Sequence, residues 1–171
     1  ETPNPVYGLH DYTLGGGKGS SAQAASSFND MIKKAFGHPR DAKQFAEWAQ
    51  WINYDGYRAI FEGRSEHRRG MLLWMSHSAW PSMVWQTYDY YFDPNAAYFG
   101  CKKASEPLHI QWNPLRDDIE VVNYHASDRT ELTATASLFN QDGTLQWTRE
   151  TILDICLLYT SDAADDRISV D

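Results

Sequence analysis

The sequence predicts an α/β region followed by an antiparallel β-sandwich domain, with the change near residue 106. Before that point, apolar residues recur with helical spacing, and one continuous apolar run, Met71 to Met75, is typical of a buried strand. After Pro107, apolar and polar residues mostly alternate with period two. A length of 171 residues suits one ordinary domain or parts of two.

Two amphipathic helices are predicted before residue 70. The first ends at Gly37 and Pro39, and its apolar residues are spaced i, i+3, i+4, i+7: Phe28, Met31, Ile32 and Ala35. The second begins after Asp41 as N-cap, and its apolar stripe runs on to Phe61: Phe45, Trp48, Ala49, Ile52, Tyr57, Ile60 and Phe61.

The run from Met71 to Met75 is predicted to be a strand buried on both faces of a parallel sheet. Helix, buried strand, loop and helix in succession fit either an α/β barrel or a doubly wound sheet. In a barrel, functional residues lie at the C-terminal ends of strands. On that assumption, we expect Trp74 to Trp80 at the functional end.

The strand-rich region has three predicted strands and a return strand. Turn signals at Asn113-Pro114 and Asp142-Gly143 separate them. The strand runs are Leu108 to Trp112, Ile119 to Val122, Thr130 to Phe139 and Thr144 to Thr148. Because three or four strands do not close a sandwich, we expect a truncated domain over residues 106–155.

Composition narrows the function classes. Acidic residues exceed basic ones, 23 to 15, and no basic cluster is denser than His67 to Arg69, so nucleic-acid binding is disfavoured. No stretch approaches a membrane span, and from the opening residues we expect no signal peptide within this sequence. The chain opens without Met, so we expect it to start within a longer protein.

No cofactor or metal is predicted. The glycine-rich stretch, Gly15 to Gly19, departs from the spacing of phosphate-binding loops, and no strand precedes it. Cys101 and Cys156 lack the spacing of metal ligands and make no disulfide framework.

The C-terminal tail is expected to be foreign to the protein. Residues Cys156 to Asp165 match the translation of TGT CTC TTA TAC ACA TCT GAC GCT GCC GAC, a transposase-type sequencing adapter, and Asp166 to Asp171 fit its continuation. We therefore predict that residues 156–171 are translated adapter and that native sequence ends near Ile155.

Four residues are candidates for substrate binding. Trp74, His77 and Trp80 lie at or just after the predicted buried strand, and Asp11 lies in a loop that can direct it inward. Tryptophan offers a flat apolar face that suits the CH face of a sugar ring. The alternatives stay open: Trp74 can be a core residue and His77 a structural one. We interpret the aromatic residues from Trp85 to Phe92 as packing residues.

Several motifs together resemble glycoside hydrolase family 2, in the branch of exo-β-D-glucosaminidases and mannosylglycoprotein endo-β-mannosidases. The likeness covers about residues 25 to 125. The matching blocks are Asn53–Ala59, Phe61–Glu62, Leu73–Met75, Ala79–Ser82, Trp85–Gln86, Tyr88–Asp89, Ala97–Gly100 and Lys102–Gln111.

The resemblance implies a fold. Residues 1–105 would be the C-terminal part of a (β/α)8 TIM barrel with its eighth strand at about 71–75, followed by a truncated immunoglobulin-like β-sandwich over 106–155. The family uses two Glu, an acid/base and a nucleophile, roughly 5–5.5 Å apart. No residue of this chain matches either, so both are expected upstream of Glu1.

The resemblance also implies a function. The parent protein would be a retaining exo-β-glycosidase acting on terminal β-glucosaminide or β-mannoside linkages of a carbohydrate substrate, in the periplasm or outside a bacterium. Trp74 would lie beneath the sugar in the cleaved subsite, with Trp80 nearby, while the chain alone would be inactive. The alternatives are a β-mannosidase or β-galactosidase of the same family, or a non-catalytic carbohydrate-binding barrel remnant.

Overall fold

The chain divides into two compact units, a helical unit, Glu1–Ala104, and a strand unit, Ser105–Asp171. The structure is a computed structural model that describes residues 30–63, 71–79, 86–114, 117–156 and 159–162, the last four by backbone alone. The glycine-rich stretch, Asp11, Trp80 and most of the acidic tail lie outside these residues. The predicted mixture of helices and strands is confirmed.

Three helices are described in the helical unit: α1 over residues 30–36, α2 over Ala42–Glu62 and α3 over Ala96–Ala104. Asp41 caps α2, since its side chain accepts a hydrogen bond from the Gln44 N–H at 2.8 Å. Gly37 ends α1 with φ +88°, and its N–H donates to the Lys33 carbonyl. Both predicted helix termini are confirmed. No helix of the described residues is long and apolar enough to cross a membrane.

The packing of α3 on α2 depends on small side chains. Ala97, Gly100 and Ala104 are buried and fall on one face of α3, at i, i+3 and i+7. A Cβ on Gly100 would lie only 2.4 Å from the Tyr54 carbonyl oxygen of α2. The two backbones therefore meet at a distance that only glycine permits.

The structure differs from the predicted buried strand at Met71 to Met75. These residues form no strand, and Leu72 is 97% exposed. A parallel strand gains its hydrogen bonds and its burial only from neighbouring strands. Within the described residues, no strand pairs with this run. That this run is a strand of a barrel therefore stays a prediction.

The described residues of the strand unit form two antiparallel sheets. Strands β1 (Leu108–Asn113), β2 (Asp118–Asn123) and β5 (Tyr159–Asp162) form one in the order β1-β2-β5, and β3 (Arg129–Phe139) and β4 (Leu145–Ile155) form the other. The predicted strands are confirmed, and β4 continues seven residues beyond Thr148. Gly143, with φ +84°, occupies the predicted turn between β3 and β4.

A small apolar core and one buried amide join the two sheets. Val121 of β2 packs with Ala134 of β3 and Ile155 of β4. Asn123, fully buried, donates through Nδ2 to the carbonyls of Ile155 and Ser127, while its Oδ1 accepts from the His125 N–H. Since every polar atom of this amide is engaged, Asn123 fixes the end of β4 against β2.

The predicted foreign tail contributes one strand to this unit. Residues 159–162 pair antiparallel with β2, from Glu120↔Asp162 to Asn123↔Tyr159. Main-chain pairing places few demands on side chains, so a strand here does not bear on where the residues come from. The foreign origin of residues 156–171 stays a prediction.

Candidate functional site

The segment that follows the apolar run is held against residues 86–95 by backbone hydrogen bonds. The Ser76 carbonyl accepts from the N–H groups of Thr87, at 3.2 Å, and Tyr88, at 2.9 Å, and also from the Thr87 hydroxyl, at 3.1 Å. His77 forms a parallel bridge with Tyr88, which in turn bridges Pro94. These contacts fix the position of His77.

Asn95 connects this segment to the helices. Its Nδ2 donates to the Gln86 carbonyl, and its Oδ1 accepts from the N–H of Ala97 at 3.0 Å, so the same side chain closes the loop and caps α3. Gln50 of α2 accepts from the Ala96 N–H at 2.8 Å. The loop is therefore anchored, through α3, on α2, the longest of the described helices.

The imidazole of His77 is oriented by two aromatic residues. Its ring stacks on Phe92, with centroids 4.3 Å apart and planes 13° apart, and lies 6.3 Å from the Tyr90 ring. Its Nε2 is 3.2 Å from the Tyr90 carbonyl oxygen. Because that oxygen can only accept, Nε2 carries the proton, and in the neutral ring Nδ1 is an acceptor.

Residues 89–93, called the aromatic turn below, are closed by Asp89. One oxygen of its carboxylate accepts from the N–H groups of Tyr91, at 2.8 Å, and Asp93, at 3.0 Å, while its own N–H donates to the Asp93 carbonyl. This Asx arrangement holds Phe92 at φ +68°. The aromatic residues from Trp85 to Phe92 were predicted to pack, but Tyr91 and Phe92 are 71% and 72% exposed.

Trp74 is 82% exposed within this chain and lies in the same unpaired run as Leu72. It precedes His77 by three residues. Of the four predicted binding residues, the structure therefore describes two, Trp74 and His77, on one short segment. Trp80 and Asp11 lie outside the described residues, and their roles stay predictions.

Ser78 adds a polar group that sequence reasoning missed. It is 3% exposed, and its hydroxyl has no hydrogen-bond partner among the described residues. A buried hydroxyl without a partner lowers the stability of the folded chain, so Ser78 is unfavourable in these surroundings. The only signal in the sequence was its place beside His77.

Other titratable side chains among the described residues lie in surroundings that favour a structural role over a catalytic one. Burial raises the pKa of the Cys101 thiol, which disfavours the nucleophilic thiolate. Burial, and then the proximity of Cys101, raises the pKa of the Tyr57 phenol. The buried Glu120 accepts at one oxygen from Gln111 and at the other from Asn113, each at 2.8 Å, and so ties β1 to β2.

Comparison with known proteins places the chain among glycosidases. It is 39% identical over 124 residues to an exo-β-D-glucosaminidase of Amycolatopsis orientalis, a match that covers 68% of this chain and 12% of the relative. It is 32% identical over 148 residues to a mannosylglycoprotein endo-β-mannosidase of Lilium longiflorum, covering 84% of this chain and 15% of the relative. No protein-family model matches.

A solved structure agrees with these relatives. The exo-chitosanase CsxA of Amycolatopsis orientalis superposes with a TM-score of 0.75 at 34% identity, over 81% of this chain and 18% of that one. The chain therefore spans between about an eighth and a fifth of these three proteins. Both sequence and fold support the predicted resemblance, and the chain belongs to glycoside hydrolase family 2, in the branch that contains exo-β-D-glucosaminidases and mannosylglycoprotein endo-β-mannosidases.

Proposed function

We propose that this chain forms one wall of the sugar-binding site of a retaining exo-β-glycosidase that hydrolyses terminal β-glucosaminide linkages. The observation that carries the proposal is the 39% identity to an exo-β-D-glucosaminidase. It coincides with a segment in which Trp74 precedes His77, a histidine whose ring is held by stacking and hydrogen bonding. Hydrolysis with retention of configuration would require two catalytic Glu, and no residue of this chain matches either of them.

The finer architecture is part of the same proposal. Residues 1–105 correspond to the C-terminal part of a (β/α)8 barrel, with the run Met71 to Met75 as its eighth strand, and residues 106–155 to a truncated immunoglobulin-like sandwich. A neighbouring barrel strand would supply the pairing that this run lacks within the described residues. A periplasmic or secreted location rests on the family resemblance alone.

In this proposal, Trp74 supplies an apolar face beneath the sugar in the cleaved subsite. Sugar CH groups stack on indole, and the fixed ring restricts the substrate to orientations from which reaction proceeds. His77 contributes an acceptor at Nδ1 for a sugar hydroxyl. Trp80 and Asp11 are proposed as further members of the binding site.

A β-mannoside is the second candidate substrate. The endo-β-mannosidase of Lilium longiflorum matches a larger share of this chain, 84%, than the glucosaminidase, 68%. The two sugars differ in the group at C2, an amine in one and an axial hydroxyl in the other. Discrimination between them therefore depends on what faces C2 in the assembled site.

Expression of the longer reading frame that contains this segment tests the proposal. We expect turnover of p-nitrophenyl β-D-glucosaminide to exceed that of the β-mannoside, while the 171-residue chain turns over neither. Preference for the mannoside would favour the second candidate. Absence of turnover of any aryl β-glycoside by the longer protein would refute the enzyme, and turnover by the purified 171-residue chain would refute the assignment of catalysis to residues outside it.

A further inference from the structure

The aromatic turn presents large apolar faces on a rigid support. Phe92, a bulky residue in the left-handed region, is an outlier that local contacts must hold in place, and Asp89 supplies them. Residues held in sparsely populated backbone conformations cluster at ligand-binding sites. Within this chain, more than two thirds of the surface of Tyr91 and of Phe92 is exposed, so both rings are accessible to a ligand.

Polar groups surround these rings. One face of the Phe92 ring is covered by His77, whose Nε2 is engaged by the Tyr90 carbonyl. Asp93, next to Phe92, is exposed. An apolar ring face bordered by acceptors suits a pyranose ring, which has an apolar CH face and a rim of hydroxyl groups.

The charge around the turn favours a cationic sugar. Asp89 and Asp93 are the only charged residues between Gln86 and Cys101, since the sequence has no Lys, Arg or Glu in that interval. An ammonium group on a sugar bound beside Phe92 would be attracted to the exposed Asp93 carboxylate. Glucosamine units carry such a group.

The turn also lies close to Trp74 along the chain. His77 follows Trp74 by three positions, so their Cα atoms are at most roughly 11 Å apart. Phe92 stacks directly on His77. The aromatic turn therefore contacts a residue that closely follows Trp74 in the chain, and this proximity is the basis for assigning the turn to the adjacent sugar ring.

We propose that the aromatic turn is a subsite for the amino-sugar ring next to the one that is cleaved, with Tyr91 and Phe92 as its stacking residues and Asp93 as its charge partner. The proposal rests on the proposed function, because it takes Trp74 to mark the cleaved ring. It assigns selection of an oligosaccharide over a monosaccharide glycoside to this turn.

The test is binding of the β-1,4-linked glucosamine disaccharide to the 171-residue chain, measured by saturation-transfer NMR titration. We expect Phe92→Ala and Tyr91→Ala each to weaken binding by on the order of tenfold. Phe92→Tyr keeps the ring and should bind as wild type does. Phe139→Ala is the matched control, since Phe139 is 57% exposed on the strand unit and should bind unchanged.

Charge is tested separately. Asp93→Asn should weaken binding of the glucosamine disaccharide but not of cellobiose, which has the same linkage without the amines. Unchanged binding in both Phe92→Ala and Tyr91→Ala, or no binding by the wild-type chain, would overturn the subsite. The proposed function fails on a different readout, because turnover of an aryl glucosaminide by the longer protein involves no second sugar ring.

Discussion

Gly100 is the position where one added carbon atom should be most disruptive to the helical unit. In Gly100→Ala, the new Cβ would meet the Tyr54 carbonyl oxygen at 2.4 Å and the Arg58 nitrogen at 3.1 Å. Both are backbone atoms of α2, so no side-chain rotation relieves the contact and α3 must move as a body. Overpacking costs about 1–3 kcal/mol, and we expect the upper end of that range.

Gly56→Ala is the matched control with the opposite expected sign. Gly56 lies in the interior of α2, and a Cβ there would have no atom within 4 Å apart from its chain neighbours and the backbone of its own helix. Alanine is favoured over glycine inside a helix by roughly 0.5–1 kcal/mol, because glycine loses more backbone entropy. This variant should therefore stabilise the unit.

Thermal unfolding followed by circular dichroism separates the two variants. A change of 1 kcal/mol shifts the Tm of a unit of this size by about 4–8 °C. Gly100→Ala should lower Tm by roughly 10 °C or more, and Gly56→Ala should raise it by a few degrees. A Gly100→Ala chain that melts at or above the wild-type temperature would refute the close approach of α2 and α3.

Three further expectations concern single polar groups. Asn123→Leu should lower the free energy of unfolding by about 2 kcal/mol or more in urea denaturation, because buried carbonyls lose their donor; an unchanged midpoint would contradict the role of this amide. Ser78→Ala should raise Tm, since it removes a buried hydroxyl that has no described partner, and a lower Tm would mean that the hydroxyl is bound. Hydrogen bonds from Thr144 lower the pKa of the Asp142 carboxyl. The stabilisation that they provide is therefore present above the ordinary carboxyl pKa and is lost as pH falls through the lowered pKa of Asp142. Asp142→Asn should remove this pH dependence from acid-unfolding curves.

Local chemistry made the helix ends predictable from sequence. Asp41 and Gly37 act through their own side chain or backbone conformation, so their capping roles do not depend on distant residues. The period-two pattern after Pro107 likewise predicted β1 to β4, because alternation reflects two faces of a sheet. These features hold whatever the rest of the protein contributes.

Features that depend on distant partners were not predictable. The run Met71 to Met75 has the composition of a buried strand, yet burial and pairing require neighbours that the described residues do not supply. The aromatic turn was also missed. Asp89 signals an Asx turn, but neither the positive φ of Phe92 nor its stacking on His77 follows from the order of residues.

The central claim, that this chain supplies sugar-binding residues to a β-glycosidase, is tested most directly by Trp74→Ala in the longer protein. With p-nitrophenyl β-D-glucosaminide as substrate, kcat/KM should fall on the order of 10²-fold or more, because the sugar loses the surface that orients it. Tm should change little, because an indole that stacks on the sugar packs against the substrate and not against other residues of the barrel. Intact kinetics together with a lower Tm would instead make Trp74 a packing residue and contradict the claim.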